Sequence, residues 1–174
     1  LDEARAHALV LAEQQGLIFV HPYDDPDIVA GQGTVALEML ADVPDLDTLI
    51  VAIGGGGLMA GMATAAKAIN PNIDIVGVQS TRFPGMVNAI LGTNHPQGSS
   101  SIAEGIAVGT PGKLPQEIIK ALVNDLVLVD EGDIEQAIVM LLEVEKPLVE
   151  GAGAAGLAAL LKYRERFKGT TVGL

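Results

Sequence analysis

Five short apolar runs set the terms for this chain: LIFVHP at 17–22, LDTLIVAI at 46–53, IDIVGVQS at 73–80, DLVLVD at 125–130 and TTVGL at 170–174. Each is rich in β-branched residues and bounded by Gly, Pro or Asp, so each reads as a strand. None alternates cleanly between apolar and polar positions. A strand that is apolar at successive positions is buried on both faces, which is the condition of a parallel strand covered by helices. Helical spacing occupies 28–41, 58–69, 114–123, 131–145 and 151–167, and the opening LDEARAHALVLAEQQG places Ala4, Ala8, Leu11 and Ala12 on one helical face. Asp130 followed by Asp133 is the signature of a helix start at 131. Alternating strand and helix predicts an α/β fold, a mostly parallel twisted sheet with helices on both faces, as one domain over residues 1–174. Thr81 to Pro115, with its glycines, prolines and the triple Ser99 to Ser101, is too long for an ordinary connection and is expected to be functional or mobile.

Charge narrows the partners. With 22 acidic against 10 basic side chains the net charge is −12, and the field of such a surface repels nucleic acid and anionic membranes. A bound phosphate must therefore be held by local groups. The mean hydropathy is +0.40, yet no apolar run approaches the ~20 residues of a membrane span. The absence of cysteine excludes disulfides, thiolate catalysis and Cys-ligated zinc, and is compatible with a cytoplasmic location. The chain starts at Leu1 without Met and stops just inside a β-type run, so it is expected to be a piece of a larger protein.

The joint between the second strand and the next helix carries Gly54, Gly55, Gly56 and Gly57. A loop after a parallel strand lies at the carboxyl edge of the sheet, where open α/β folds bind ligands. The helix that follows points its amino end there, with unpaired N–H groups and about half a positive charge. Four residues without Cβ let several N–H groups converge on one small oxyanion. Charge-assisted hydrogen bonds contribute about 1.5 to 3 kcal/mol each, enough for three or four to fix a phosphate in an acidic protein. Gly55, Gly57 and Ala60 also satisfy the dinucleotide pattern G-x-G-x-x-A, but Gln79 and Ser80 stand where the ribose-binding acid belongs. A Walker A loop fails, because no Lys-Ser/Thr pair follows the glycines.

HPYDDPDIVAGQGTVALEML at 21–40, IVAIGGGGLMAGMA at 50–63, IVGVQS at 75–80, IAEGIAV at 102–108 and VEGAGAAGLAALL at 149–161 occur in that order. The set resembles the threonine/serine dehydratases (ammonia-lyases), enzymes of fold type II that depend on pyridoxal 5'-phosphate. The resemblance implies that Gly54, Gly55, Gly56 and Gly57, with the N–H of Leu58, wrap the cofactor phosphate. It also implies that Gly105 lines the cofactor near its aldehyde edge and that Glu150 is a carboxylate close to the ring. By position alone, Gly105 is a turn glycine and Glu150 an acid favoured at a helix amino end. The implied reaction is α,β-elimination of water from a small hydroxy amino acid, giving a 2-oxo acid and ammonia, in an enzyme expected to be a homo-oligomer.

The family's lysine, in a Ser-x-Lys-x-Arg-Gly type motif, has no counterpart here, and Lys67 in ATAAKAIN reads as the outer face of a helix. The asparagine loop for substrate belongs upstream, and the Gly-Gly-Asn segment facing the ring nitrogen belongs after Leu174. No catalytic residue is therefore expected within this chain, which is expected to be inactive alone. Related serine racemases bind a divalent ion where this chain has Gln79 and Gly85, so no metal is expected. Asp24 and Asp25 before Pro26 read as a turn and cap, and QGT at 32–34 as a helix start with Thr34 as a capping candidate. His7, His21 and His95 have no partner spacing for zinc or general-base work. Two alternatives stay open: a non-catalytic phosphate-ligand or oligomerisation module, and an NAD(P)-binding domain.

Overall fold

Each strand sends alternate residues into one of two apolar cores, and this is why the sequence runs show no wet face. The computed structural model describes residues 2–174. Strands β1 (Thr48–Ala52), β2 (Asp74–Ser80), β3 (Asp125–Val129) and β4 (Val172–Gly173) form one sheet in the order β3-β2-β1-β4. Every pairing is parallel, with Ile50 opposite Val76 and Val78 opposite Val127. Leu49, Val51, Ile53, Ile73 and Ile75 face a core closed by α2 (Pro26–Asp42), α3 (Gly57–Ile69) and α5 (Lys113–Leu122). Ile50, Val76, Val78 and Val129 face the opposite core, closed by α6 (Glu131–Met140) and α7 (Gly151–Lys162). The chain runs outward from β1 to β3 and then returns to the far side of β1 for β4, so the order reverses at β1. Its carboxyl edge is the place where such a reversal opens a crevice.

Several boundaries differ from the sequence expectations. Residues 17–22 form no strand: the sheet offers them no neighbour, and Ile18 is 91% exposed. The first helix, α1, covers Asp2–Gln15, and Leu1 lies outside the described residues. The helix expected over 131–145 is α-helical to Met140 and continues as a π-helical turn, Leu141–Glu145, that ends at Lys146 with a positive φ of 69°. The helix expected over 151–167 stops at Lys162. The irregular stretch contains a short helix, α4 (Gly85–Leu91), and a 3-10 turn, Glu104–Ile106.

Caps explain the helix starts. Asp25 accepts from the N–H groups of Asp27 and Ile28 and starts α2 at Pro26, eight residues before Thr34. Thr34 lies inside α2, where its hydroxyl donates to the Gly31 carbonyl, so QGT is not a helix start. Asp130 and Asp133 form the reciprocal capping box of α6. The Asp133 N–H holds the Asp130 carboxyl below its ordinary 3.8, with Lys162 acting in the same direction against partial desolvation.

The tightest helix contact is between α2 and α3. A Cβ on Gly61 would come within 3.0 Å of the Val29 carbonyl and the Gly33 amide. Gly61→Ala is expected to push these helices apart and lower the urea unfolding free energy by about 1–3 kcal/mol; an unchanged midpoint would contradict the packing. Asp130→Ala is expected to cost about 1 kcal/mol at neutral pH. Because the folded state depresses this carboxyl, the contribution is complete above pH 3.8 and fades as pH falls through the lower folded value. Unfolding curves for wild type and variant should converge on acidification, and a widening gap would contradict the assignment.

Candidate functional site

β1 ends at Ala52 and the chain enters the glycine loop at the carboxyl edge of the sheet. Gly56 has φ +101°, a left-handed conformation that other L-residues adopt only under strain, and it forms the N-cap of α3. The space beside each glycine is filled. A Cβ on Gly54 would meet Ile106 Cα at 3.1 Å and the Gly105 carbonyl at 3.3 Å. One on Gly55 would enter the Tyr23 ring, one on Gly56 would strike Met86 and Pro115, and one on Gly57 would touch the Tyr23 backbone at 3.0 Å. The four glycines are therefore favoured by close approach on several sides, and Gly56 by its conformation as well.

The amides behave differently from this packing. Among the described residues, the N–H groups of Gly54, Gly55, Gly56, Gly57 and Leu58 donate to no carbonyl and no side chain. The loop's carbonyls, in contrast, are used: Gly55 O accepts from Gly112 N–H at 2.9 Å and Gly56 O from Ala60 N–H at 2.9 Å. Gly55, Gly56 and Gly57 are buried. Buried N–H groups without partners are costly and rare, and here they coincide with the positive end of a 13-residue helix.

The other two residues singled out by sequence lie beside this loop. A Cβ at Gly105 would stand 3.0 Å from Glu150 Oε1, while the Gly105 carbonyl faces Gly54. Glu150 is the N-cap of α7, but its side chain makes no capping hydrogen bond. Thus Gly54, Gly105 and Glu150 form one contiguous wall although they are far apart in sequence.

Residues that the sequence did not single out for the site hold the wall in place. Tyr23 packs on the loop and its hydroxyl donates to Thr110 O at 3.0 Å. His21 Nδ1 accepts from the N–H groups of Tyr23 and Asp24, and Asp24 Oδ1 accepts from Leu114 N–H at 2.9 Å, capping α5 from outside. Gln79 is fully buried, donates to Ile53 O at 3.2 Å and accepts from Val87 N–H at 2.9 Å, so it joins the loop's entry to α4. Glu131 gathers Ser80, Ser101 and Ile102 N–H around one carboxylate. Lys67 donates to the Ile73 carbonyl, Lys162 to Asp133 and Lys168 to Glu165.

A family model described as pyridoxal-phosphate dependent enzyme matches residues 1–174. The chain belongs to this family. It is 43% identical over 162 residues to an L-threonine ammonia-lyase of Thermotoga maritima, covering 92% of this chain and 40% of that protein. With the catabolic L-threonine dehydratase TdcB of Escherichia coli K12 it shares 46% over 154 residues, covering 87% of this chain and 46% of that protein. Its fold matches the processed form of threonine deaminase isoform 2 from Solanum lycopersicum with a TM-score of 0.90 at 33% identity, covering 99% of this chain and 48% of that one. This pyridoxal-phosphate family chain thus spans about half or less of the relatives it matches, and shares with them the expected α/β architecture of fold type II. The residues present fit the family's cofactor: five unpaired amides at a helix amino end suit a phosphate dianion that the net charge of −12 would otherwise repel.

Gly55→Ala is expected to drive Tyr23 off the loop and break its bond to Thr110. NMR signals of residues 21–25 and 110–112 should then shift while those of β2 and β3 stay; an undisturbed Tyr23 ring would contradict the wedge.

Proposed function

We propose that this chain is the larger part of the cofactor-binding domain of a threonine/serine ammonia-lyase, an enzyme that eliminates water from L-threonine or L-serine to give a 2-oxo acid and ammonia. The unpaired amides of Gly54 to Leu58 carry this reading, together with the names of the relatives at 43–46% identity. Pyridoxal 5'-phosphate supplies the electron sink for the elimination when bound. The chain's own residues bind and orient. The glycine-loop amides and the α3 amino end hold the phosphate, the Gly105 backbone lines the cofactor beside the loop, and Glu150 contributes a carboxylate close to the ring. The anchoring lysine belongs to a part of the parent enzyme other than these residues, and the parent is an oligomer of the cytoplasm that acts on a small amino acid.

The reading is tested by equilibrium dialysis of the 174-residue chain. Pyridoxal 5'-phosphate is expected to bind reversibly, inorganic phosphate is expected to compete with it, and borohydride treatment at equimolar cofactor is expected to leave no adduct by mass spectrometry. A stable adduct mapped to one lysine of this chain would overturn the assignment of the anchor elsewhere. NADP binding without phosphate competition would favour a dinucleotide domain instead.

A further inference from the structure

Glu131 stands at the first position of α6, outside the glycine loop and without a role in the reading above. Both of its carboxylate oxygens are engaged. Oε1 accepts from Ser80 Oγ at 3.1 Å and Ser101 Oγ at 2.8 Å, and Oε2 accepts from Ile102 N–H at 2.7 Å. The two serines pass the restraint onward: Ser80 Oγ accepts from Arg82 N–H at 3.1 Å and Ser101 Oγ from Ala103 N–H at 3.1 Å. Partial burial raises the Glu131 pKa, but the bonds from Ile102, Ser101 and Ser80 and the Arg82 charge outweigh it, so the carboxyl lies below its ordinary value.

This one side chain therefore ties the end of β2 to the strip 101–105. The strip has little freedom on its other sides. Ala103 is fully buried, the Ile102 carbonyl and Ala103 Cα press on Gly151 at the start of α7, and Gly105 lies between Gly54 and Glu150. A strip fixed at Ile102 and wedged at Gly151 has its Gly105 position set to within the reach of the next three residues.

We propose that Glu131 is a positioning residue for the cofactor edge: it sets the distance of Gly105 and its carbonyl from the glycine loop, acting through Ser101 and Ile102. The proposal rests on the cofactor reading in its consequence for binding, but not in its consequence for the strip. It makes a division of labour between ligands. Inorganic phosphate needs only the loop amides, whereas pyridoxal 5'-phosphate needs the loop and the strip together.

It also orders the substitutions by reach rather than by charge. Gln at 131 keeps an acceptor for Ile102 N–H and can donate its amide to the serine hydroxyls, which have acceptor capacity to spare. Asp keeps the charge but is a methylene too short to span both serines and Ile102. Ala removes the tie.

The experiment measures, for the 174-residue chain and its Glu131→Gln, Glu131→Asp and Glu131→Ala variants, the affinity for pyridoxal 5'-phosphate and for inorganic phosphate, and amide hydrogen exchange in the free proteins. Glu131→Ala and Glu131→Asp are expected to weaken pyridoxal 5'-phosphate about tenfold, the scale of one charge-assisted hydrogen bond, and to leave inorganic phosphate within about twofold. Exchange should accelerate at Ile102 and Ala103 and stay slow in β1 and β2. Glu131→Gln should restore both readouts to near wild type. Equal losses for both ligands, or faster exchange across the whole sheet, would make Glu131 a general stability element and overturn the proposal. So would unchanged cofactor affinity in Glu131→Ala. If the wild-type chain takes up no pyridoxal 5'-phosphate, the cofactor reading fails, and exchange alone decides: acceleration confined to 102–105 supports the positioning role, and its absence overturns it.

Discussion

The structure depends on an imbalance in the loop after β1. Its Gly55 and Gly56 carbonyls are engaged by Gly112 and Ala60, its Cβ positions are filled by Tyr23, Met86, Pro115 and the 105–106 backbone, and its N–H groups have no protein partners among the described residues. A loop fixed by its carbonyls and its packing cannot rearrange to satisfy its amides. On the proposed function those amides are the ones that meet the phosphate, and the first turn of α3 adds its own N–H groups and its dipole to theirs. With a net charge of −12 on the chain, fixed backbone dipoles at the loop are a local source of positive potential.

The surrounding network works to the same end. Three separate connections converge on the loop from different parts of the chain: the 21–25 segment through Tyr23 and Asp24, the end of β2 through Gln79, and the 101–106 strip through Gly105. Each is pinned by side chain to backbone bonds of short reach, and Gln79 and Ala103 are fully buried. The irregular stretch between β2 and α5 is in this sense a built wall. Its backbone is held by Asn88 bridging to His95, by Ser80 and Ser101, and by the Gly98 N–H on the Arg82 carbonyl.

The three long strands, the capping box of Asp130 and Asp133, and the glycine loop were legible in the sequence because each is a local pattern: a run of β-branched residues, a spacing of three, a tetrad at a strand-to-helix joint. LIFVHP carries the same local signal as a strand yet pairs with nothing, since strand formation needs a neighbour that a run of residues does not itself supply. Thr34 illustrates the same limit for helices. It is a good capping residue type, but Asp25 and Pro26 start the helix earlier and leave it on an inner turn. The family resemblance brought Gly105 and Glu150 into view, while their meeting with Gly54 is a property of the fold. Glu131, Tyr23 and Asp24 in its role on α5 were not legible as site residues. Their partners stand 29 to 90 positions away, and a single acid or tyrosine has no pattern that announces such a contact.

The most direct test of the central claim is amide NMR of the uniformly 15N-labelled chain titrated with pyridoxal 5'-phosphate. The account predicts that the N–H resonances of Gly54, Gly55, Gly56, Gly57 and Leu58 move first and furthest, downfield as expected for new hydrogen bonds to phosphate oxygen, and that inorganic phosphate reproduces their shifts. Saturable binding that leaves these five amides unmoved and perturbs another surface would contradict it.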